Sequence, residues 1–301
     1  MSSSDKNYDV APFINSNPQL QSYYYSLESK AGFRLLLGGT RHLGYWDHDT
    51  YWPFPLSNGL RHMEEKLAEA LSLPTGSRVL DAGCGVGHVA LYLAKSHGFH
   101  VEAIDVLDYH LGKAVRNVEH SGQLEGTVTV SKMDYHHLES FVDQSLDGIY
   151  TMETFVHATD PKAALAGFYR VLRPGGRIVQ FEYDHNELER YPSFLAKHMT
   201  MINDYAAMPN NSDPGVLKSM LEESGFQDIV VRDYSANIRP LTRVFFLLAI
   251  IPFLFIRLLG LERYFINTIG GVGSYVGYGH WHYLAISATK PGNPLEATKS
   301  K

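Results

Sequence analysis

The chain has 301 residues, 45% of them apolar and 19% charged, with a formal net charge of −6. That length suffices for one large α/β domain, alone or with a small cap. The acidic balance, with no Lys/Arg run, argues against a nucleic-acid binder, which needs a cationic surface, and the single cysteine, Cys84, excludes an intramolecular disulfide.

In chain order, "MSSSDKNYDV" lacks a cationic start followed by an apolar run, so no signal peptide is expected. A cytoplasmic location is the corresponding expectation, given one cysteine. Residues 1–72 are expected to form a cap segment. They carry the aromatic-rich lead "YYYSLESKAGFRLLLGGTRHLGYWDHDTYW" and then an amphipathic helix with Leu60, Met63, Leu67 and Leu71 on one face.

From Ser77 onward, in a domain taken as 73–301, short β-branched strands alternate with helices, the pattern of a parallel sheet with helical crossovers. The expected strands are 78–83, 100–105, 128–134, 146–153, 177–184, 228–235 and 280–290. Asp108 and the pair Asp160–Pro161 mark helix starts, and Gly122 and "RPGG" (173–176) mark helix ends. Segments 184–213 and 236–279 stand outside the alternation. Ligands of doubly wound sheets bind at the carboxyl ends of the strands, so these segments are placed over that edge.

"VLDAGCGVGH" puts Gly83, Gly85 and Gly87 directly after the first strand. Glycines let the backbone turn sharply and approach a ligand without a Cβ clash. A nicotinamide-nucleotide loop needs G-x-G-x-x-G, and His88 breaks that spacing. The pattern is D-x-G-x-G-x-G, with Asp81 inside the strand.

This strand–loop–helix resembles the first motif of class I S-adenosylmethionine-dependent methyltransferases, and the resemblance runs from about Ser77 to Lys290. It implies a seven-stranded, doubly wound Rossmann-like sheet with S-adenosylmethionine as cofactor. By that resemblance Asp81, Gly83, Gly85 and Gly87 pack on the cofactor's methionine and ribose. Asp105 takes the ribose hydroxyls, Asp134 the adenine amino group, and Tyr135 and Glu153 complete the cofactor set. A carboxylate is chemically suited to a cis-diol. "RVLRPGGRIV" resembles the family's motif before the fifth strand. Cys84 is read as a packing residue.

Two stretches, "IYTMETFVHATDP" (149–161) and "YYYSLESKAGFRLLLGGTRHLGYW" (23–46), look like those of sterol C-methyltransferases and related small-molecule enzymes. The resemblance implies Glu153 and His157 at the reaction centre, with Tyr24, His42, Tyr45 and Trp46 closing over the substrate. Glu153 also admits a structural reading, as an acid bonding cap amides, and His157 is equally readable as a loop histidine. Asp105 stands where a full sterol enzyme has an amide, which favours another lipophilic acceptor, such as a terpenoid or polyketide-derived compound. "HWH" at 280–282 invites a metal reading, but no carboxylate spacing matches it, and no metal is expected.

Three functions follow: methyl transfer to a lipophilic small molecule; a cofactor-binding cyclase or isomerase without methyl transfer; or a membrane-associated binding protein. The second is motivated by the absence of an unambiguous base together with a large apolar cap. The third rests on "VFFLLAIIPFLFIRLLGL", Val244 to Leu261. As a helix it would reach about 27 Å, short of a ~30 Å hydrocarbon core. Pro252 should kink it, Arg257 charges it, and both ends must return to one sheet. A bent helix or hairpin over the cleft is expected instead, with Arg239, Arg243, Arg257 and Arg263 free to reach water or lipid headgroups.

Overall fold

Seven short runs rich in β-branched and aromatic residues become the strands of one sheet in the computed structural model, which describes residues 13–122, 126–209 and 214–292. The chain opens with α1 (Pro18–Tyr25), α2 (Leu27–Leu37) and α3 (Leu56–Leu71). The alternation then runs β1 (Arg78–Ala82), α4 (His88–His97), β2 (His100–Asp105), α5 (Asp108–Glu119), β3 (Thr127–Lys132) and β4 (Leu146–Met152). It continues with α6 (Pro161–Val171), β5 (Leu172–His185), α7 (Ser193–Tyr205), α8 (Val216–Glu223) and β6 (Gln227–Asp233). The last elements are α9 (Ser235–Leu258), α10 (Ile266–Val276) and β7 (Trp281–Thr289).

The sheet order is β3-β2-β1-β4-β5-β7-β6, with β7 antiparallel to both of its neighbours. Central strands are covered on both faces, so β1 and β4 are buried almost along their whole length rather than at alternate residues. Val79, Tyr150 and Val179 face one layer; Leu80, Ile149 and Ile178 face the other, with Leu165 and Phe168 of α6. The face expected on α3 is buried, but Met63, Leu67 and Leu71 pack against the sheet. α3 therefore covers the sheet and does not belong to the cap. Asp160 caps α6 by accepting from the Ala163 amide, with Pro161 in the first turn, as the sequence signals.

α9 is one helix of 24 residues that carries both Pro240 and Pro252. Each proline removes one amide donor and crowds the carbonyl four residues earlier. At Pro252 that residue is Leu248, on the exposed side, where solvent can satisfy the freed carbonyl. The hairpin expected within 244–261 is instead formed by α9 with α10, which packs against it and against α7. The two helices approach closely at Gly271, where a Cβ would stand 3.1 Å from that of Ala249. Glu28 of α2 ties in this layer by accepting from the backbone amides of Asn267 and Thr268, at 3.0 and 2.7 Å. A carboxylate at a helix start meets otherwise unpaired amides there.

Candidate functional site

β1 ends in Gly83, Gly85 and Gly87, all with positive φ. At Gly83 (φ 101°) a Cβ would stand 2.7 Å from the Thr154 side chain, so only glycine fits. The amides of Gly83 and Cys84 donate to the Ile104 carbonyl, at 2.9 and 2.8 Å, and the Gly85 amide to Oδ2 of Asp105 at 2.9 Å. The loop is thereby pinned to the end of β2. Gly83 and Gly85 line a small cavity, whereas Gly87 packs α4 on Ala114 of α5. Asp81 lies buried in β1 and is not among the cavity-lining residues; burial pushes its carboxyl up to about 7.

The small cavity, about 80 Å³, is walled by Asp105, Asp134, Tyr135 and the lead residues Asn15 and Tyr24. Asp105 accepts from the Leu107 amide at Oδ1 (2.8 Å), and from Gly85 and the ring of His110 at Oδ2. Asp134 accepts from the Asn15 and His136 amides. Burial would raise its carboxyl, but the His136 ring beside it holds it below the usual range. Tyr135 donates to the Thr154 carbonyl. His110 also lines this cavity, and its buried Nε2 has no partner among the described residues. No motif marks it in the sequence, where its only distinction is a place in the first turn of α5.

A second cavity of about 390 Å³ adjoins it, bounded by α2, α7, α9 and α10. Leu37, Leu195, Met199, Ile202, Phe245 and Leu248 make its wall mainly apolar. Tyr24, Arg41, Glu153 and His157 line both cavities and so form their common mouth. Arg41, also missed in the sequence, stacks on Phe33 with its guanidinium carbon 4.2 Å from the ring centroid, and among the described residues its buried Nε and Nη1 have no partner.

Glu153 and His157 reach this mouth with their polar atoms engaged. Glu153 has φ +58°, a strained value for a non-glycine residue. Its Oε1 accepts from the Leu43 amide (2.6 Å) and the Tyr283 hydroxyl (2.9 Å), and its Oε2 from the Tyr183 hydroxyl. Burial raises its carboxyl above the usual range against these donors. Nδ1 of His157 donates to the Ala207 carbonyl (2.7 Å), which leaves Nε2 to accept from the Tyr24 hydroxyl (3.2 Å). Burial pushes its imidazole down to about 4. Glu182, one strand over, caps the turn that carries His157 by accepting from the Thr154, Phe155 and Val156 amides.

His42 lines the larger cavity at its floor, its ring between the Leu43 carbonyl and Glu64. Burial lowers its pKa, but the Glu64 carboxylate outweighs burial and the net shift is upward. Tyr45 and Trp46 line neither cavity. Tyr45 packs edge-on against Tyr234, and Trp46 fills the space left by Gly59, where a Cβ would stand 2.3 Å from its ring. The backbone here fastens the lead segment to α3, by the Tyr45 amide donating to the Gly59 carbonyl, and to α9, by reciprocal bonds between Trp46 and Asn237. His282 pairs with Asp184 (2.6 Å), while the ring of His280 lies against Tyr191. Among the described residues, no three His, Cys, Asp or Glu side chains converge. Cys84 is buried.

A family model described as a methyltransferase domain matches residues 79–176. Over 277 residues the chain is 44% identical to the S-adenosyl-L-methionine-dependent Diels-Alderase iccD of Talaromyces variabilis, covering 90% of this chain and 94% of that one. Over 201 residues it is 31% identical to the O-methyltransferase rstn1 of Aspergillus nomiae, covering 66% and 85%. Among solved structures, the 4+2 cyclase SpnF matches with a TM-score of 0.70 at 23% identity, over 94% of this chain and 99% of that one. At that identity the likeness speaks to fold alone.

Proposed function

The chain belongs to the class I S-adenosylmethionine-dependent methyltransferase family, and we propose that it uses this fold to close a ring in a lipophilic polyene by 4+2 cycloaddition. It is an enzyme fold of specialised metabolism, and its cofactor is S-adenosylmethionine. The observation that carries the proposal is the state of the mouth. Both groups that would take a proton from an acceptor are committed: Glu153 to three donors, His157 to a carbonyl and a hydroxyl. A cycloaddition needs neither group. Two σ bonds form as three π bonds become one, with no proton moved and no group leaving.

The residues of the small cavity suit the cofactor chemically. Oδ1 of Asp105 keeps one acceptor position, and beside it His110 presents a buried acceptor that has no partner among the described residues, a pair matched to two ribose hydroxyls. Gly83 and Gly85 leave room where a side chain would intrude. Asn15 and Tyr24 of the lead narrow the cavity and would shift to admit the whole molecule. When bound, S-adenosylmethionine supplies a sulfonium charge and an activated methyl group.

The apolar wall of the larger cavity would hold a polyene folded, so that its two reacting segments meet. Orientation of this kind contributes up to several kcal/mol to a rate. The desolvated Arg41 at the mouth would take an oxygen of the substrate's polar end, withdrawing electrons from an attached alkene. Glu153, bonded to Leu43, keeps the lead segment closed over this space and excludes water.

Methyl transfer is the second reading, favoured by the relationship to an O-methyltransferase. Mass spectrometry of products formed from lipophilic polyenes with methyl-labelled cofactor separates the two. An isomeric, unlabelled product supports cyclisation. A product heavier by one labelled methylene unit overturns it in favour of transfer.

A further inference from the structure

α9 is apolar enough to span a membrane, yet only 28% of its most apolar window is buried. Both of its ends lead back to the sheet, through β6 before it and α10 and β7 after it, so it lies on the protein and does not cross a bilayer. At about 100° per residue, Leu254, Leu247, Leu258, Ile251, Phe255, Leu248 and Leu259 fall in succession on one arc of roughly 140°. All seven are exposed, Phe255 by 63% and Leu258 by 81%. A continuous apolar arc of this kind marks an interaction surface.

Two further features lie on the same surface. Arg243, one turn before Leu247, donates to the Thr50 carbonyl and stacks on Tyr51, so the exposed Tyr51–Trp52–Phe54 loop sits at the head of the arc. Such aromatics favour the boundary between headgroups and acyl chains. At the other end stand the exposed Arg257 and Arg263, and among the described residues neither has a carboxylate partner. α9 itself contains no Asp or Glu.

We propose that this surface docks on an anionic lipid bilayer, with the arc at the acyl boundary and Arg257 and Arg263 on lipid phosphates. The charge pattern sets the choice of occupant. A second copy paired about a two-fold axis would bring these cations together with no carboxylate on α9 to offset them, whereas anionic headgroups complement them. Leu248 and Pro252 are both exposed and also line the larger cavity, so that cavity opens along the docked edge of α9. A lipophilic molecule dissolved in the bilayer thereby enters from the side. This entry route rests on the cavity being the substrate's; the docking does not.

The test is flotation of the full chain with vesicles of phosphatidylcholine alone and of phosphatidylcholine with phosphatidylserine. The chain should float with the anionic vesicles and release as salt rises. Leu254→Asp combined with Leu258→Asp should weaken binding on the order of tenfold or more, and Arg257→Glu with Arg263→Glu roughly tenfold. Circular dichroism and affinity for S-adenosylhomocysteine should be unchanged in both variants, which separates lost docking from lost folding. Equal partitioning of wild type and both variants overturns the proposal. So does a wild-type dimer that ignores vesicles and becomes monomeric with the leucine replacements. Product mass is read separately, so docking and cyclisation fail independently.

Discussion

Tyr283 on the antiparallel strand β7 donates its hydroxyl to Oε1 of Glu153, 2.9 Å away across 130 residues of chain. With the Leu43 amide and the Tyr183 hydroxyl on the same carboxylate, one acid at the end of β4 ties together the lead segment and two further strands. Glu153→Gln keeps the shape but turns one acceptor into a donor facing a tyrosine. It should lower stability by about 1–3 kcal/mol in urea titration. KM should rise more than kcat falls, because closure rather than chemistry is impaired. A variant as stable as wild type whose turnover drops by orders of magnitude would instead make Glu153 a chemical participant.

His157 makes a pH prediction with a definite sign. Its folded pKa is about 4, and an unfolded histidine titrates near 6.5. Above about 6.5 both states are neutral and stability is undiminished. As pH falls from about 6.5 to about 4, the unfolded chain takes up a proton that the folded chain refuses, which removes up to roughly 3 kcal/mol. Asp81 and Glu182, raised to about 7 and about 8, act oppositely and lose their contribution as pH rises through those values. Subtracting the His157→Gln stability curve from that of wild type cancels both and should leave the acid loss alone. A flat difference curve would show that His157 takes up its proton as readily in the folded chain as in the unfolded one.

Asp105→Ala should weaken S-adenosylhomocysteine on the order of tenfold to a hundredfold in isothermal titration. Because Asp105 also holds the Gly85 and Leu107 amides, Asp105→Asn serves as the shape-preserving control and should lose less. Undiminished affinity in the alanine variant would move the cofactor away from the end of β2.

Gly271→Val tests the cap without touching the mouth. The new side chain meets Ala249 of α9 at a distance most Cβ atoms avoid, and overpacking of this kind costs about 1–3 kcal/mol. Turnover should fall as the larger cavity deforms, while cofactor affinity, set by Gly83, Gly85, Asp105 and Asp134 at the strand ends, should hold. Loss of both together would mean that the two cavities share their walls more tightly than the four mouth residues indicate.

The strands were readable because β-branched runs bounded by glycines and helix caps are local signals, and the glycine loop follows one of them. The partners of Glu153 were not, since Tyr183 and Tyr283 lie 30 and 130 residues away and no spacing rule connects them. The aromatic lead shows the same limit. Tyr24 turns into the site while Tyr45 and Trp46 turn away, a division made by the glycine notch at Gly59 and by Tyr234. His110 and Arg41 carried no motif, and only folding buries their nitrogens without a partner among the described residues. Pro252 argued for a kinked or broken segment, yet α9 runs through it as one helix packed against α10.

The segment running from Asn15 to Tyr24 lies across the small cavity, its amide on Asp134 and its hydroxyl on His157. Anything the size of a nucleoside that enters or leaves beneath it must first peel this strip back. The tenure of a nucleoside bound there would then depend on how often the strip lifts as well as on the contacts under it. A cofactor held beneath the strip would exchange only when the strip lifts, so one loading would serve every turnover that falls between two liftings.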